Sequence, residues 1–334
     1  MSEKIKVTIP EVVYQMMLSD AESFRIVKGD GTPNLNAFIN RLIVNFYEDF
    51  AAEEDALRRG VREALSGVPE RYLQEAYDNI LHTLAKREKE TLFEGASVAI
   101  SFKPTKQSER VVIYIENVLL QNESLASFYR RLFIAYAKQA KNAREKLIHK
   151  GVYEVLTRAI REGLSVCLAL DGGQVYPTAS IYSVDPGRDE LFNFVLFYNG
   201  RRNTTVRLSK IKSASLLTSA AVIPEENAAM FARQTVCGAQ YPIYSTDDEP
   251  IRVQLTNKGK ALFQRIYLYR PTPISIEGDI YTFNCSANQL MFYLKRFGSE
   301  ALILHPKKLG IDMMGYYYFA LKKYRTLYGR AQKD

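Results

Sequence analysis

The dipeptide Asn199-Gly200, set between two runs of strand-forming residues, constrains the path of this chain more than any other short segment. Phe192, Phe194, Val195, Phe197 and Tyr198 precede it, and Thr205-Val206-Arg207-Leu208-Ser209 alternates after it. Asn-Gly adopts the left-handed backbone of a tight hairpin at little steric cost, so the pattern predicts antiparallel strands over 192–198 and 204–211. Arg207 then points away from Val206 and Leu208. A slip in the alternation at Lys210-Ile211 predicts a bulge that brings both Arg207 and Lys210 to solvent. No acidic residue lies between Glu190 and Glu225, whereas Arg201, Arg202, Arg207, Lys210 and Lys212 all do. A field of one sign on β-structure attracts polyanions, and a merely solubilising hairpin is the plain alternative.

The rest of the composition sets broad bounds. A chain of 334 residues, 47% hydrophobic, can build two or three cored domains. Its 45 Lys and Arg against 37 Asp and Glu give a net charge of +8, which favours nucleic acid or another anionic partner. Cys167, Cys237 and Cys285 are far apart and outside any C-x-x-C pattern, so neither disulfides nor a zinc cluster is expected. No basic-then-apolar leader opens the sequence, and no run approaches about 18 apolar residues. These features set the expectation of a reducing cytoplasm and no membrane.

The N-terminal third contains a strand-helix-helix pattern twice. Ile5, Val7 and Ile9 alternate with Lys4, Lys6 and Thr8, Pro10-Glu11 starts a helix, and Asn34 caps a second helix striped with Leu35, Phe38, Ile39, Leu42, Ile43 and Phe46. Val98, Ile100 and Phe102 alternate in the second copy, a helical stretch runs from Val111 to Leu120, and Ser124 can cap the next helix. Leu35, Phe38, Arg41 and Leu42 match Leu125, Phe128, Arg131 and Leu132 at an offset of 90. Between the copies, helical spacing over Leu57–Leu65 and Leu73–Leu84 predicts two connecting helices. A second basic stretch, Arg130, Arg131, Lys138, Lys141, Arg144 and Lys146, has Glu145 as its only acid and is a further candidate surface for a polyanion. The strand-helix-helix pattern resembles the ribbon-helix-helix family, and that resemblance implies a two-stranded ribbon entering the DNA major groove with Lys4, Lys6 and Thr8 outward. Whether the two strands of the ribbon come from one chain or from two stays open, because only a true repeat can supply both.

From about Gly151 a helix is followed by short strands around Val166–Leu170, Tyr176–Tyr182, Phe192–Tyr198 and Thr204–Ile211, the pattern of a small antiparallel barrel. Through Tyr176-Pro177, the FNFVLFY strand and VRLSKI, the segment resembles the WYL family of Sm-like, SH3-type barrels. The family's naming tripeptide is here Phe192-Asn193-Phe194, and there is no Trp. Carried over by position, the resemblance implies a basic pocket at Arg207 and Lys210 with Tyr176 and Asn193 as neighbours, and Tyr198 nearby. RVQLTNKGKALF, FYLKRFG and ALILHPKKL resemble the extension that follows many such domains, which implies dimer contacts. Met313, Met314, Tyr316, Tyr317, Phe319, Tyr324 and Tyr328 make its last helix strongly aromatic, suited to a core, an interface or base stacking.

Catalysis finds no support, since His82, His149 and His305 stand alone and no phosphate loop, nucleophile elbow or catalytic Cys context occurs. Asp247-Asp248-Glu249 reads as a solvated turn. The expectation is an α+β protein: a ribbon-helix-helix-type helical domain over 1–150, a WYL barrel over 151–222 and a small α+β dimerisation extension over 223–334. This order of domains resembles the WYL-domain accessory proteins encoded beside type VI-D CRISPR loci. The resemblance implies antiviral defence by a homodimer without cofactor or catalysis, which binds single-stranded RNA and enhances an RNA-guided RNase effector. The runner-up is a DNA-binding repressor whose WYL pocket senses a ligand.

Overall fold

The computed structural model describes residues 4–77, 79–80, 83, 95–120, 123–243 and 250–329. The chain forms two compact units, one made of Met1–Glu154 with Leu208–Lys212 and the other of Val155–Arg207 with Ser213–Asp334. The middle and C-terminal regions thus share one unit, and a five-residue piece of the basic stretch after Arg207 belongs to the other. His82, Leu81, Leu84 and the Asp247-Asp248-Glu249 run lie outside the described residues.

In the first unit, strand β1 (Ile5–Pro10) pairs antiparallel with β2 (Ser97–Phe102) of the same chain, Lys6 opposite Ser101 and Val7 opposite Ile100. Val7, Ile9, Ile100 and Phe102 are buried on one side of this ribbon, while Lys4, Lys6, Thr8, Ala99 and Ser101 are exposed on the other. Each strand leads into helices, α1 (Glu11–Ser23) and α2 (Leu35–Ala64) in one copy, α3 (Lys106–Tyr114) and α4 (Leu125–Lys138) in the other. Both expected caps are present: Asn34 Oδ1 accepts the Ala37 N–H at 3.1 Å and Ser124 Oγ that of Ser127 at 3.2 Å. The expected connecting helix over 57–65 is not separate but the distal half of α2, because Ala51 to Ala56 holds only good or tolerated helix formers and no breaker. Residues 70–77 are helical. Phe38, Phe46, Phe128, Tyr129, Phe133 and Tyr136 fill the core between ribbon and helices. Helices α5 (Lys141–Ile148) and α6 (Lys150–Glu162) follow.

The core of this unit holds a buried ion pair. Arg144 Nε donates to Asp20 Oδ2 at 2.6 Å, and the Tyr136 hydroxyl donates to the same oxygen at 2.8 Å. Arg144 also donates to the Gln139 carbonyl at 2.6 Å. Burial and the neighbouring Asp20 carboxylate hold the Tyr136 hydroxyl well above its ordinary pKa, so it stays a donor.

In the second unit, β3 (Leu164–Leu170), β4 (Val175–Pro186), β5 (Asn193–Tyr198), β6 (Asn203–Arg207) and β7 (Ile211–Ala220) form an antiparallel sheet in the order β6-β5-β4-β3-β7. The expected barrel is not closed, and β6 and β7 are its edges. Strand β6 ends at Arg207 and the chain turns through a 3-10 turn at Leu208–Lys210, where one continuous strand with a bulge had been expected. A helix covers the sheet instead. Phe231 of α7 (Glu225–Cys237) is fully buried against Leu196 and stacks on Tyr182 at 5.1 Å. The C-terminal part has a second sheet, β11 (Ala301–His305), β8 (Ile251–Leu255), β10 (Ile280–Phe283) and β9 (Pro273–Glu277) in that order. Helices α8 (Asn257–Arg265), α9 (Ala287–Leu294) and α10 (Lys307–Tyr328) belong to the same part, whose core is built around Val253, Phe263, Phe283, Leu290 and Tyr293.

Candidate nucleic-acid interface

The Asn-Gly hairpin forms, with four residues in its loop. Tyr198 pairs with Asn203, and the Asn199 N–H donates to the Arg202 carbonyl at 3.3 Å. Gly200 has φ +85, a backbone region that a side chain adopts reluctantly. Asn199 organises the loop: its Oδ1 accepts the backbone N–H of both Arg201 and Arg202 at 3.0 Å, and its Nδ2 donates to Thr204 Oγ1 at 3.0 Å. Two arginines are therefore presented, exposed, at the tip of a fixed turn. The base of the hairpin is tied down as well. Asn203 and Asn227 exchange bonds of 3.0 and 2.9 Å, and Gln234 Nε2 donates to Thr205 Oγ1 at 2.9 Å, both linking β6 to α7. Nothing in the local sequence announces these contacts, since their partners lie 24 and 29 positions away.

The remaining residues of the expected pocket are distributed along β5. Arg207 pairs with Phe194 and its guanidinium lies 3.4 Å over the Phe192 ring, a cation–π contact. Asn193 is fully buried opposite Pro186. Tyr176 packs edge-on against Phe197 at 4.9 Å, and Phe197 lies four residues along the strand from Asn193, roughly 13 Å at the usual rise. The structure therefore does not gather Tyr176 with Asn193 and Arg207. Tyr198 is half-buried against the Leu196 and Phe231 cluster. Lys210 and Lys212 are exposed, but they belong to the first unit, where the Ser209 N–H donates to the buried Glu145 carboxylate at 3.2 Å.

On the N-terminal ribbon, Lys4, Lys6 and Thr8 form an exposed row beside Ser101 and Ala99. Arg130 and Arg131 act inside the fold. Arg130 Nε donates to the Thr8 carbonyl at 2.7 Å and so pins the ribbon backbone to α4. Arg131 is bonded to Glu54 and Glu123 and lies over the rings of Phe50 and Phe128 at 5.6 and 6.0 Å. Burial lowers the pKa of its guanidinium, which nonetheless remains charged between two carboxylates. Asn40, which occupies the position of Arg130 at the offset of 90, does the corresponding work on the other strand. It donates to the Lys103 carbonyl at 3.0 Å, accepts the Thr105 N–H at 3.1 Å and bonds Ser108.

Among the described residues no group of three or more His, Cys, Asp or Glu gathers as a metal site, and no helix is long and apolar enough to cross a membrane. The His149 ring Nε2 lies 3.1 Å from the Phe24 carbonyl, inside the core.

No family model and no curated protein matches the chain. Among solved structures it is similar to one described as a CRISPR Cas-related protein, at 14% identity over 98% of this chain and 95% of that one, with a TM-score of 0.66. Another, the proteasome accessory factor B/C (PafBC) of Arthrobacter aurescens, aligns at 17% identity over 65% of this chain and 35% of that one, with a TM-score of 0.22 that is too low to compare folds. What the first likeness establishes is a fold shared over nearly the whole of both chains.

Proposed function

We propose that the protein is a non-catalytic accessory factor of an RNA-guided CRISPR RNase, acting as a homodimer that binds single-stranded RNA and raises the effector's activity. The observation that carries this reading is the hairpin tip, where Asn199 fixes Arg201 and Arg202 in solvent within a span of the chain that has no acid. Phosphates meet both cations there without a loop-ordering cost. The likeness to a CRISPR Cas-related protein agrees with the setting. Replacing Arg201 and Arg202 by Ala should flatten the logarithmic salt dependence of single-stranded RNA binding by roughly 1.4, at ~0.7 per phosphate. An unchanged slope in the folded variant removes the hairpin from the interface.

A second reading, a DNA-binding repressor, is favoured by the intrachain ribbon with its exposed Lys4, Lys6 and Thr8. Its other half offers Ser97, Ala99, Ser101 and Lys103 on the exposed face, a poor set for reading bases. Duplex DNA should accordingly bind in the non-specific range of ~10⁻⁴ to 10⁻⁶ M at physiological salt. A site-specific footprint on a palindrome would favour the repressor instead.

A further inference from the structure

We propose that a second contact for single-stranded nucleic acid lies in the C-terminal part of the chain, where Tyr267 and Phe292 offer stacking faces for unpaired bases beside Arg296. The inference rests on the RNA-binding reading and extends it to a surface that the hairpin does not reach in sequence. The charge pattern of the hairpin recurs here. From Pro250 to Ile276 there is no acidic residue but five cations, of which Lys258 and Lys260 pair with Glu300 and Asp279 from outside the run while Arg252, Arg265 and Arg270 complete the set, and from Ile280 to Ser299 there are again no acids, with Lys295 and Arg296 present.

The loop after α8 is held in an uncommon shape. Tyr269 has φ +64, a left-handed backbone that a bulky side chain adopts only when its surroundings impose it. Its hydroxyl donates to Asp189 Oδ2 at 3.1 Å, and its ring stands edge-on to Phe292 at 5.7 Å. On either side, Arg296 donates to the Leu268 carbonyl at 3.3 Å and Arg270 to the Phe263 carbonyl at 3.3 Å. The fixed loop leaves Tyr267 77% exposed and Phe292 54% exposed. Rings carried on a backbone fixed in this way bind with less ordering of the loop, and every base has a π-face to lay on them. Arg296 lies 6.0 Å over Phe292, and its guanidinium carries five N–H donors, of which Leu268 takes one. Phosphate or a base edge can use the others.

Charge separates this occupant from a second copy of the chain. A symmetric self-contact would set the patch against itself and bring Arg270, Lys295 and Arg296 of two chains together, a like-charge arrangement that costs affinity. An RNA strand brings the opposite charge and the stacking partner at once.

The test compares a short fluorescent single-stranded RNA with an abasic strand of the same length by anisotropy. The Tyr267→Ala/Phe292→Ala variant should bind the ordinary RNA about tenfold or more weakly, bind the abasic strand as the wild type does, and keep its salt slope, because stacking and no phosphate contact is lost. The Arg201→Ala/Arg202→Ala variant should do the reverse, weakening both strands and flattening the slope. If the folded aromatic variant binds ordinary RNA like the wild type, the second contact is overturned while the hairpin reading stands. If the wild type binds no RNA, both fall. A fall in molar mass of the aromatic variant by light scattering, with RNA binding unaltered, identifies the patch as a self-contact and also overturns the proposal.

Discussion

Arg131 shows how a residue's chemistry is decided by partners that its own neighbourhood does not reveal. In sequence it is one of a basic row, but Glu54, 77 positions away, and Glu123 enclose its guanidinium. Replacing it by Ala leaves two half-buried carboxylates without their cation and strips packing from Phe50 and Phe128, so urea unfolding should show a loss of about 1–3 kcal/mol. RNA affinity and its salt slope should not change. The Asp20–Arg144 pair is more deeply placed, and Asp20→Asn should cost about 3–5 kcal/mol by stranding a buried guanidinium. What was legible at this scale was the local turn chemistry: Asn34 and Ser124 as caps and Asn199 as the turn organiser, each acting on residues within a few positions. Arg130, Arg131 and Arg144 were not, because side chains of this length find partners far along the chain.

At the scale of elements, hydrophobic alternation located β1 and β2, each with one face in a core and a period of two, while short runs of strand-forming residues located β3, β4 and β5. It missed β7, whose Ser-rich sequence KSASLLTS is mostly exposed and carries no such contrast. The repeat at an offset of 90 foretold the N-terminal symmetry because the matched Phe38 and Phe128, Leu42 and Leu132 all enter one core. Lys6 and Ser101 face each other directly across the ribbon, a separation of about 4.5–5.5 Å between Cα atoms that a disulfide spans. Lys6→Cys with Ser101→Cys should therefore crosslink within one chain and migrate as a monomer without reductant. A crosslinked dimer would show that the ribbon is assembled between chains. Asn40→Ala should separately cost roughly 1–3 kcal/mol, since at the exit of β2 the Lys103 carbonyl loses its Asn40 donor and the Thr105 N–H, which also donates to Ser108 Oγ at 2.8 Å, loses its Asn40 acceptor.

For the whole molecule, the decisive surface is one that the sequence left open between a core, an interface and a stacking platform. Helix α10 buries only Leu309 and Met313, both in its first two turns, and from Leu321 onward every described residue is exposed. Composition alone could not separate these outcomes, because the same Met and Tyr side chains suit an interior and an interface. Met314, Leu321, Tyr324 and Tyr328 recur at spacings of seven, three and four, which suits the seam of a two-helix contact in the proposed homodimer, and Lys322 and Lys323 are exposed beside them. A partner helix from a second copy would cover apolar surface that a lone chain leaves wet, and a stable dimer needs about 800 Å² from each side. Leu321→Lys with Tyr328→Lys places charge on the seam without touching the core around Leu309 and Met313, so folding should persist. Light scattering should then report half the wild-type mass. A variant that remains dimeric excludes α10 as the dimer seam, and a wild type that is itself monomeric removes the homodimer from the proposal.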